Sequence, residues 1–192
     1  IILLAVALPV YAGVVINEVA WMGTSVSWQD EWIELYSDTD QILDGWVLVT
    51  ADGDTNIKLK NSISAGDHYL IERTNDDTVP GITADLIFSF GSGGLANGGE
   101  ILILKDASGS EADRVDGSGG WTIGGDNETK ETLQRTSSGW TTKLGTPKAS
   151  NGYETSAPQP TPTATIPTPT PNVVATPTPT PPTVGTTQEP ST

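Results

Sequence analysis

Cysteine is absent from the 192 residues, and histidine occurs once, as His68. Without cysteine there is no disulfide framework, no thiolate metal site and no cysteine nucleophile. With one histidine there is no multi-histidine metal centre, and any Ser-His-Asp arrangement has to pass through His68. Basic residues are also scarce: nine Lys and Arg stand against 24 Asp and Glu, for a net charge of −15. Duplex nucleic acid is held through phosphates neutralised by Lys and Arg, so this balance argues against a nucleic-acid partner. The basic positions are thinly spread, with Lys58 and Lys60 in one segment and Lys143 and Lys148 elsewhere. Helical patterning is missing too: no stretch keeps a 3.6-residue apolar period over three turns.

What is present is unevenly distributed. Eleven of 14 prolines lie between Pro158 and Pro190, 20 of 21 glycines between Gly13 and Gly152, and 32 of 33 charged side chains between Glu18 and Glu154. The chain therefore reads as three pieces: 1–12, 13–153 and 154–192. The first, IILLAVALPVYA, is uncharged and apolar and ends in small residues, with Val10 and Ala12 at −3 and −1 of a cut before Gly13. As a helix it would rise about 18 Å, short of the roughly 30 Å of a hydrocarbon core. It reads as the remnant of a signal-peptide h-region with its cleavage site, and Pro9 and the V-Y-A end favour this over a buried first strand. That places the protein outside the cytoplasm, secreted or at the cell surface.

The last piece alternates Pro with Thr over long stretches. Proline fixes φ and removes backbone donors, so a disordered polyproline II stalk or linker is expected, its threonines open to O-glycosylation. The chain is expected to be part of a larger surface or secreted protein, with membrane attachment only through an anchor beyond these residues.

The middle piece carries short apolar or alternating runs separated by Gly, Asp, Asn and Ser turns. Candidate strands are 14–21, 30–37, 45–50, 57–60, 68–73, 84–90, 100–106, 112–116 and 132–136. Each is short and rich in β-branched and aromatic residues, and no helices intervene, so an all-β sandwich or barrel of about eight or nine strands is expected. Asp106-Ala-Ser-Gly109 is hairpin turn chemistry, and Ala65-Gly66-Asp67 is a turn feeding a strand. The glycine-rich runs 91–99 and 117–127 read as surface connections, where binding residues often reside.

Several of these runs carry a resemblance in order and spacing. They are Ile16-Asn17-Glu18, the EWIEL stretch from Glu31 to Tyr36, Asp44-Gly45-Trp46, and the step from Leu95 to Glu100 into EILIL. Together the run from 14 to about 150 resembles the lamin-tail domain, in the form found in secreted bacterial and archaeal proteins. Ser37 departs from the pattern, since relatives often carry Asn after the tyrosine, which leaves a local turn open to question. The resemblance implies an immunoglobulin-like β-sandwich, an accessory or interaction role, no catalytic activity and no cofactor.

Read on their own chemistry, the carboxylates give no catalytic pair. Asp30, Glu31 and Glu34 lie in one segment near Glu18, but Asp30 and Glu34 share a face with Trp32 between them while Glu31 points away with Ile33 and Leu35. A retaining glycosidase needs two carboxyl groups about 5 Å apart on one face. The segment reads instead as an exposed acidic strand or a charged edge. His68, after a turn, reads as a half-exposed structural position. Asp52, Asp54 and Asn56 begin a calcium-loop pattern with oxygen ligands at alternate positions, but Ile57 replaces the required glycine and Ile63 the bidentate Glu, so a β-turn is the stronger reading. Asn75-Asp76-Asp77 and Asp126-Asn127 are similar loop acids.

Six tryptophans remain. Trp46, in GWVLV, is expected in the core. Trp28, Trp121 and Trp140 have polar or glycine-rich surroundings and are expected to be exposed, as candidate stacking platforms for sugar rings. Two functions follow. One is a non-catalytic interaction or structural module displayed on a Pro/Thr stalk, with a protein or cell-envelope glycan as partner. The other is a carbohydrate-binding accessory domain that targets a linked secreted enzyme.

Overall fold

The computed structural model describes residues 13–151. The expected signal segment 1–12 and the Pro/Thr-rich piece 154–192 lie outside the described residues. Among the described residues there are twelve strands and no helix. They are β1 (Val14–Ala20), β2 (Trp32–Ser37), β3 (Gln41–Ile42), β4 (Val47–Thr50), β5 (Asn56–Lys58), β6 (Ser62–Ile63), β7 (His68–Glu72), β8 (Leu86–Ile87), β9 (Ile101–Lys105), β10 (Glu111–Asp116), β11 (Thr132–Thr136) and β12 (Gly139–Lys143). All nine expected strands are present, though 84–90 shortens to the two residues of β8. The additional strands are the short β3–β6 pair and β12.

The strands form two main sheets, β12-β11-β1-β2-β7-β8 and β10-β9-β4-β5, with β3-β6 as a small third. Pairing is antiparallel except between β7 and β8. In the larger sheet Leu133, Val19, Ile33 and Ile71 form one row across four strands, and Ile16, Leu35 and Tyr69 form another. In the smaller sheet Ile57, Leu48 and Leu104 lie in register. Every one of these side chains is buried. Alternation along each strand sends these residues to a single face, and two such faces meet to exclude water, which makes a sandwich. Asp106 closes the β9–β10 hairpin by accepting the Ser108 and Ser110 amides through Oδ1, as its turn chemistry predicts.

The reading of β2 as an exposed acidic edge is corrected. β2 lies inside the larger sheet, between β1 and β7, and Glu31 and Glu34 are buried with Glu18 and Glu72. The face opposite the core is not open to solvent, because residues 144–151 run across it. Gly145 lies so close to Trp32 that a Cβ there would stand 3.0 Å from the indole.

The glycine-rich runs also do more than connect. Leu95 and Trp121 reach from them into the core, and Gly117 leaves the space that the Trp121 ring occupies. Trp46, expected in the core, is only partly buried against it; the buried tryptophans are Trp21 and Trp121, in the core, and Trp32, beneath residues 144–151. Ser37 resolves the turn left open by its departure from the family pattern: its hydroxyl donates to the Thr39 carbonyl at 2.6 Å and accepts the Thr39 amide.

Candidate functional site

Two places gather chemistry: the covered face of the larger sheet, and one end of the sandwich.

On the covered face, the register of β1 shifts between Ile16 and Glu18, so that Asn17 occupies a bulge. Glu18 and Glu34 are direct cross-strand partners. Glu18 accepts the Thr146 amide at 3.0 Å, the Thr146 hydroxyl at 2.9 Å, the Gln134 amide group at 3.0 Å and the Thr132 hydroxyl. Glu34 accepts the Lys148 amide and, at 2.9 Å, the Asn17 side chain. Asn151 donates to the Asn17 carbonyl at 2.9 Å and to the Arg135 carbonyl at 3.0 Å. Lys148, held at φ +61°, donates to the His68 carbonyl at 2.8 Å and pairs with Asp85.

Burial raises the pKa of Glu18 against these hydrogen bonds, and it pushes Glu34 up to about 8, with the neighbouring Glu18 adding to the effect. His68 lies 3.9 Å from Glu34, and burial followed by the Lys148 charge lowers its pKa. The carboxyl oxygens of Glu18 and Glu34 are thus occupied by the segment that covers them. The arrangement fastens a strap; it presents no acid–base pair to a substrate. A hollow of about 210 Å³ opens beside His68 and Tyr69, with Ser62, Ser64, Asp67 and Asp85 on its wall.

At the end of the sandwich where β1 stops and β2 begins, the Gly23–Asp30 loop carries two exposed apolar side chains. Val26 is 88% exposed and Trp28 61%. The loop is pinned from within. The Thr24 and Asp30 amides both donate to the Ser27 carbonyl, the Thr24 hydroxyl donates to Asp30, and the same hydroxyl accepts the Val26 amide. Gly23 has φ +70°, and a Cβ there would meet the Ser27 carbonyl oxygen at 2.6 Å. Beneath Trp28 lies Arg73, its guanidinium carbon 5.1 Å from the ring centroid. Arg73 stands 3.3 Å from Glu31, which also accepts the Leu95 amide at 2.8 Å. Burial raises Glu31 to about 7. Next along β7, Glu72 is buried, accepts the Val79 amide and is raised to about 7 by burial.

The three candidate tryptophans do not share a surface. Trp28 is exposed at this end. Trp121 corrects the expectation of exposure: it is 2% exposed, stacks on Trp21 at 5.5 Å and 2° between planes, and donates its indole N–H to the Ala96 carbonyl at 2.8 Å. Its glycine neighbours suggested a surface loop; their physical role is to let a large ring pack against the backbone. Trp140 is half-buried on β12 over Arg135, at 4.4 Å. β12 and β7 stand at opposite flanks of the larger sheet, so Trp140 and the Trp28–Arg73 pair are separated by three intervening strands.

Asp52, Asp54 and Asn56 lie at the β4–β5 connection. Asp52 accepts the Thr50 hydroxyl at 2.7 Å and the Asp54 amide at 3.0 Å, the bonds of a turn. Among the described residues no group of three or more His, Cys, Asp or Glu side chains is arranged to hold a metal ion.

The residues that carried the resemblance now have physical roles. Ile16, Ile33 and Leu35 fill the core; Asn17, Glu18 and Glu34 hold the strap; Glu31 fastens the glycine-rich segment at Leu95; and Asp44 accepts the Asn61 amide. Sequence reasoning missed the importance of Val26, Arg73, Lys148 and Asn151. The one available signal was the apolar pair Val26 and Trp28 inside a polar loop.

Two sheets packed face to face, with side chains committed to holding loops and a strap, define an immunoglobulin-like β-sandwich module. Comparison with protein families matches residues 9–118 to the Lamin Tail Domain. The chain belongs to that family, whose domains are immunoglobulin-like and non-enzymatic. A search of curated proteins finds no match.

Proposed function

We propose that this chain is a non-catalytic interaction module, carried outside the cell on its Pro/Thr-rich segment, that meets a protein partner through the Gly23–Asp30 loop. The observation that supports this best is the pinned loop itself. Solvent exposure of Val26 and Trp28 is unfavourable in isolation, yet Gly23 and the internal hydrogen bonds commit the chain to presenting them. Exposed aromatic residues on an ordered loop are what interface centres use. The apolar run before Gly13 and the Pro/Thr repeat support export and display. The occupied carboxyl oxygens of Glu18 and Glu34 favour a binding role over catalysis.

The test is photocrosslinking on intact source cells, with a benzophenone amino acid placed at Val26 or, for comparison, at Leu144, which is also exposed. A discrete protein adduct from position 26 that is absent from position 144 is the expected result. Equal adducts at both positions, or failure of the protein to reach the cell exterior, would overturn the proposal. Glycan-array binding lost in both Trp28→Ala and Trp140→Ala would replace it with the carbohydrate-binding reading.

A further inference from the structure

The same end of the sandwich shows what kind of partner fits. Three other connections are linked to the Trp28 loop through Arg73. Arg73, beneath Trp28, leads directly into Asn75-Asp76-Asp77, where Asp76 and Asp77 are exposed. Gly94 packs against Arg73 and Glu31 with no room for a side chain. A few residues back in the same segment, Gly91 packs on the Asp54 carbonyl and the Ser92 hydroxyl reaches the Asp54 carboxylate at 3.5 Å. Exposed Asp52 lies beside Asp54. Through Arg73, Gly94 and Gly91, the connections that carry Asp52, Asp54, Asp76 and Asp77 are tied to the end of the sandwich that exposes Val26 and Trp28; Asp76 also accepts the Ala84 amide at 2.7 Å.

The nearby cations do not offset these acids at the surface. Arg73 is buried and committed to Glu31, and Lys130 donates to the Met22 carbonyl at 3.2 Å and to Asn127 at 2.7 Å. The arrangement is an exposed indole with a buried cation on one side, on connections shared with four exposed acids. Exposed acids attract positive charge, and an open indole face takes either a cation or an aliphatic stem. Lysine and arginine offer both: an apolar stem and a charged head.

Resting on the interaction reading above, we propose that the partner segment is basic, with Lys or Arg side chains drawn to Asp52, Asp54, Asp76 and Asp77 and one of their stems on the free face of Trp28.

Selection of a random twelve-residue peptide library on phage against the full 192-residue chain tests this. Clones are counter-screened on Trp28→Ala, which leaves the net charge unchanged. The expected clones are rich in Lys and Arg. Their synthetic peptides bind at least about tenfold more weakly to Trp28→Ala and to the Asp76→Asn/Asp77→Asn double variant, and lose affinity as NaCl rises from 50 to 300 mM. Neutralising Asp106 and Glu111, at the far β9–β10 hairpin, leaves their binding unchanged. Clones that depend on Trp28 but are neutral or acidic would overturn the basic partner while leaving the interaction site standing. Basic clones indifferent to Trp28→Ala would show attraction to net charge alone and overturn the proposal. Absence of any Trp28-dependent clone would remove the interaction reading as well.

Discussion

At the scale of single residues, the buried aromatic and acidic side chains make the sharpest demands. Trp121 is packed against Trp21, its ring fills the space left by Gly117, and its N–H is bonded to Ala96. Trp121→Ala removes all three interactions and leaves a cavity that the surrounding backbone closes poorly. It is expected to cost about 3–5 kcal/mol in urea unfolding. Trp28→Ala, at an exposed position, should stay within about 0.5 kcal/mol of the parent in the same assay. The pair of values separates a core ring from a presented one.

Glu34 sets a pH dependence whose sign follows from its environment. Its folded-state value is raised from 4.5 to about 8 by burial, so between those limits the folded chain holds a proton that the unfolded chain has released. Stability must therefore fall as pH rises from about 5 to 8, and Glu18, Glu31 and Glu72, all raised by burial, act in the same direction. Asp52, Asp106, Asp116 and Asp126 are lowered by their turn hydrogen bonds, so the stability they contribute is lost only on the acid side, as pH falls through their folded values. Glu34→Gln keeps an acceptor for the Lys148 amide and removes the titration. Its unfolding free energy between pH 5 and 9 should be flatter than the parent's, by an amount on the order of 1–3 kcal/mol across the range. A parallel curve for the two proteins would show that Glu34 titrates normally.

At the scale of elements, the loop before β2 depends on one glycine. Gly23 has φ +70°, and a Cβ there would stand 2.6–2.7 Å from the backbone of Ser27 and Trp28. Gly23→Ala is expected to destabilise the domain by about 1–3 kcal/mol and to move the Trp28 indole resonance in an NMR spectrum, because the loop must open to admit the methyl group. An unchanged Trp28 resonance would mean that the loop is not held by this contact.

Much of the element pattern was legible because its causes are local. Alternation in Ile101–Lys105, the Asp-Ala-Ser-Gly turn after it, and the absence of a 3.6-residue period need only neighbouring residues. β3 and β6 escaped notice because two-residue strands have no period to detect. β12, reading Gly-Trp-Thr-Thr-Lys, lacks the aliphatic run that marked the others. The error over β2 has a different origin. Trp32-Ile33-Glu34-Leu35 alternates as a half-exposed strand does, and nothing nearby indicates that Glu34 will be covered. Its cover, the Lys148 amide, lies 114 residues away, and the donor to Glu18 at Thr146 lies 128 away. Trp121 misled for a related reason: whether glycine surrounds a ring to expose it or to let it pack depends on what lies on the other side, here Trp21. The exposed Trp28 could be named from its polar neighbours, whereas its link to Arg73 and the segment at Gly94 comes only from distant parts of the chain.

At the scale of the whole molecule, the strap links the sandwich to the chain that follows it. Residues 144–151 supply the backbone donors that Glu18 and Glu34 accept, and Asn151 ties off the end on Asn17 and Arg135. Without the strap, two carboxyl groups on neighbouring strands would face each other with fewer donors and more solvent. A buried acceptor stripped of its partner costs about 1–3 kcal/mol, more when charged. Ending the chain at Asn151 removes none of these bonds, so the thermal midpoint should match that of the full chain. Ending it at Lys143 removes the Thr146, Lys148 and Asn151 contacts together, and should lower stability by at least about 3 kcal/mol at pH 5. The deficit should shrink toward pH 8, because keeping Glu34 buried costs the full chain more as pH rises toward its raised value, whereas the uncovered carboxyl ionises in solvent without that cost. Calorimetry on the two truncations at both pH values decides the point. An equal deficit at both would assign the strap's contribution to packing on Trp32 instead of to the carboxyl groups, and no deficit at either would reduce it to a passive cover.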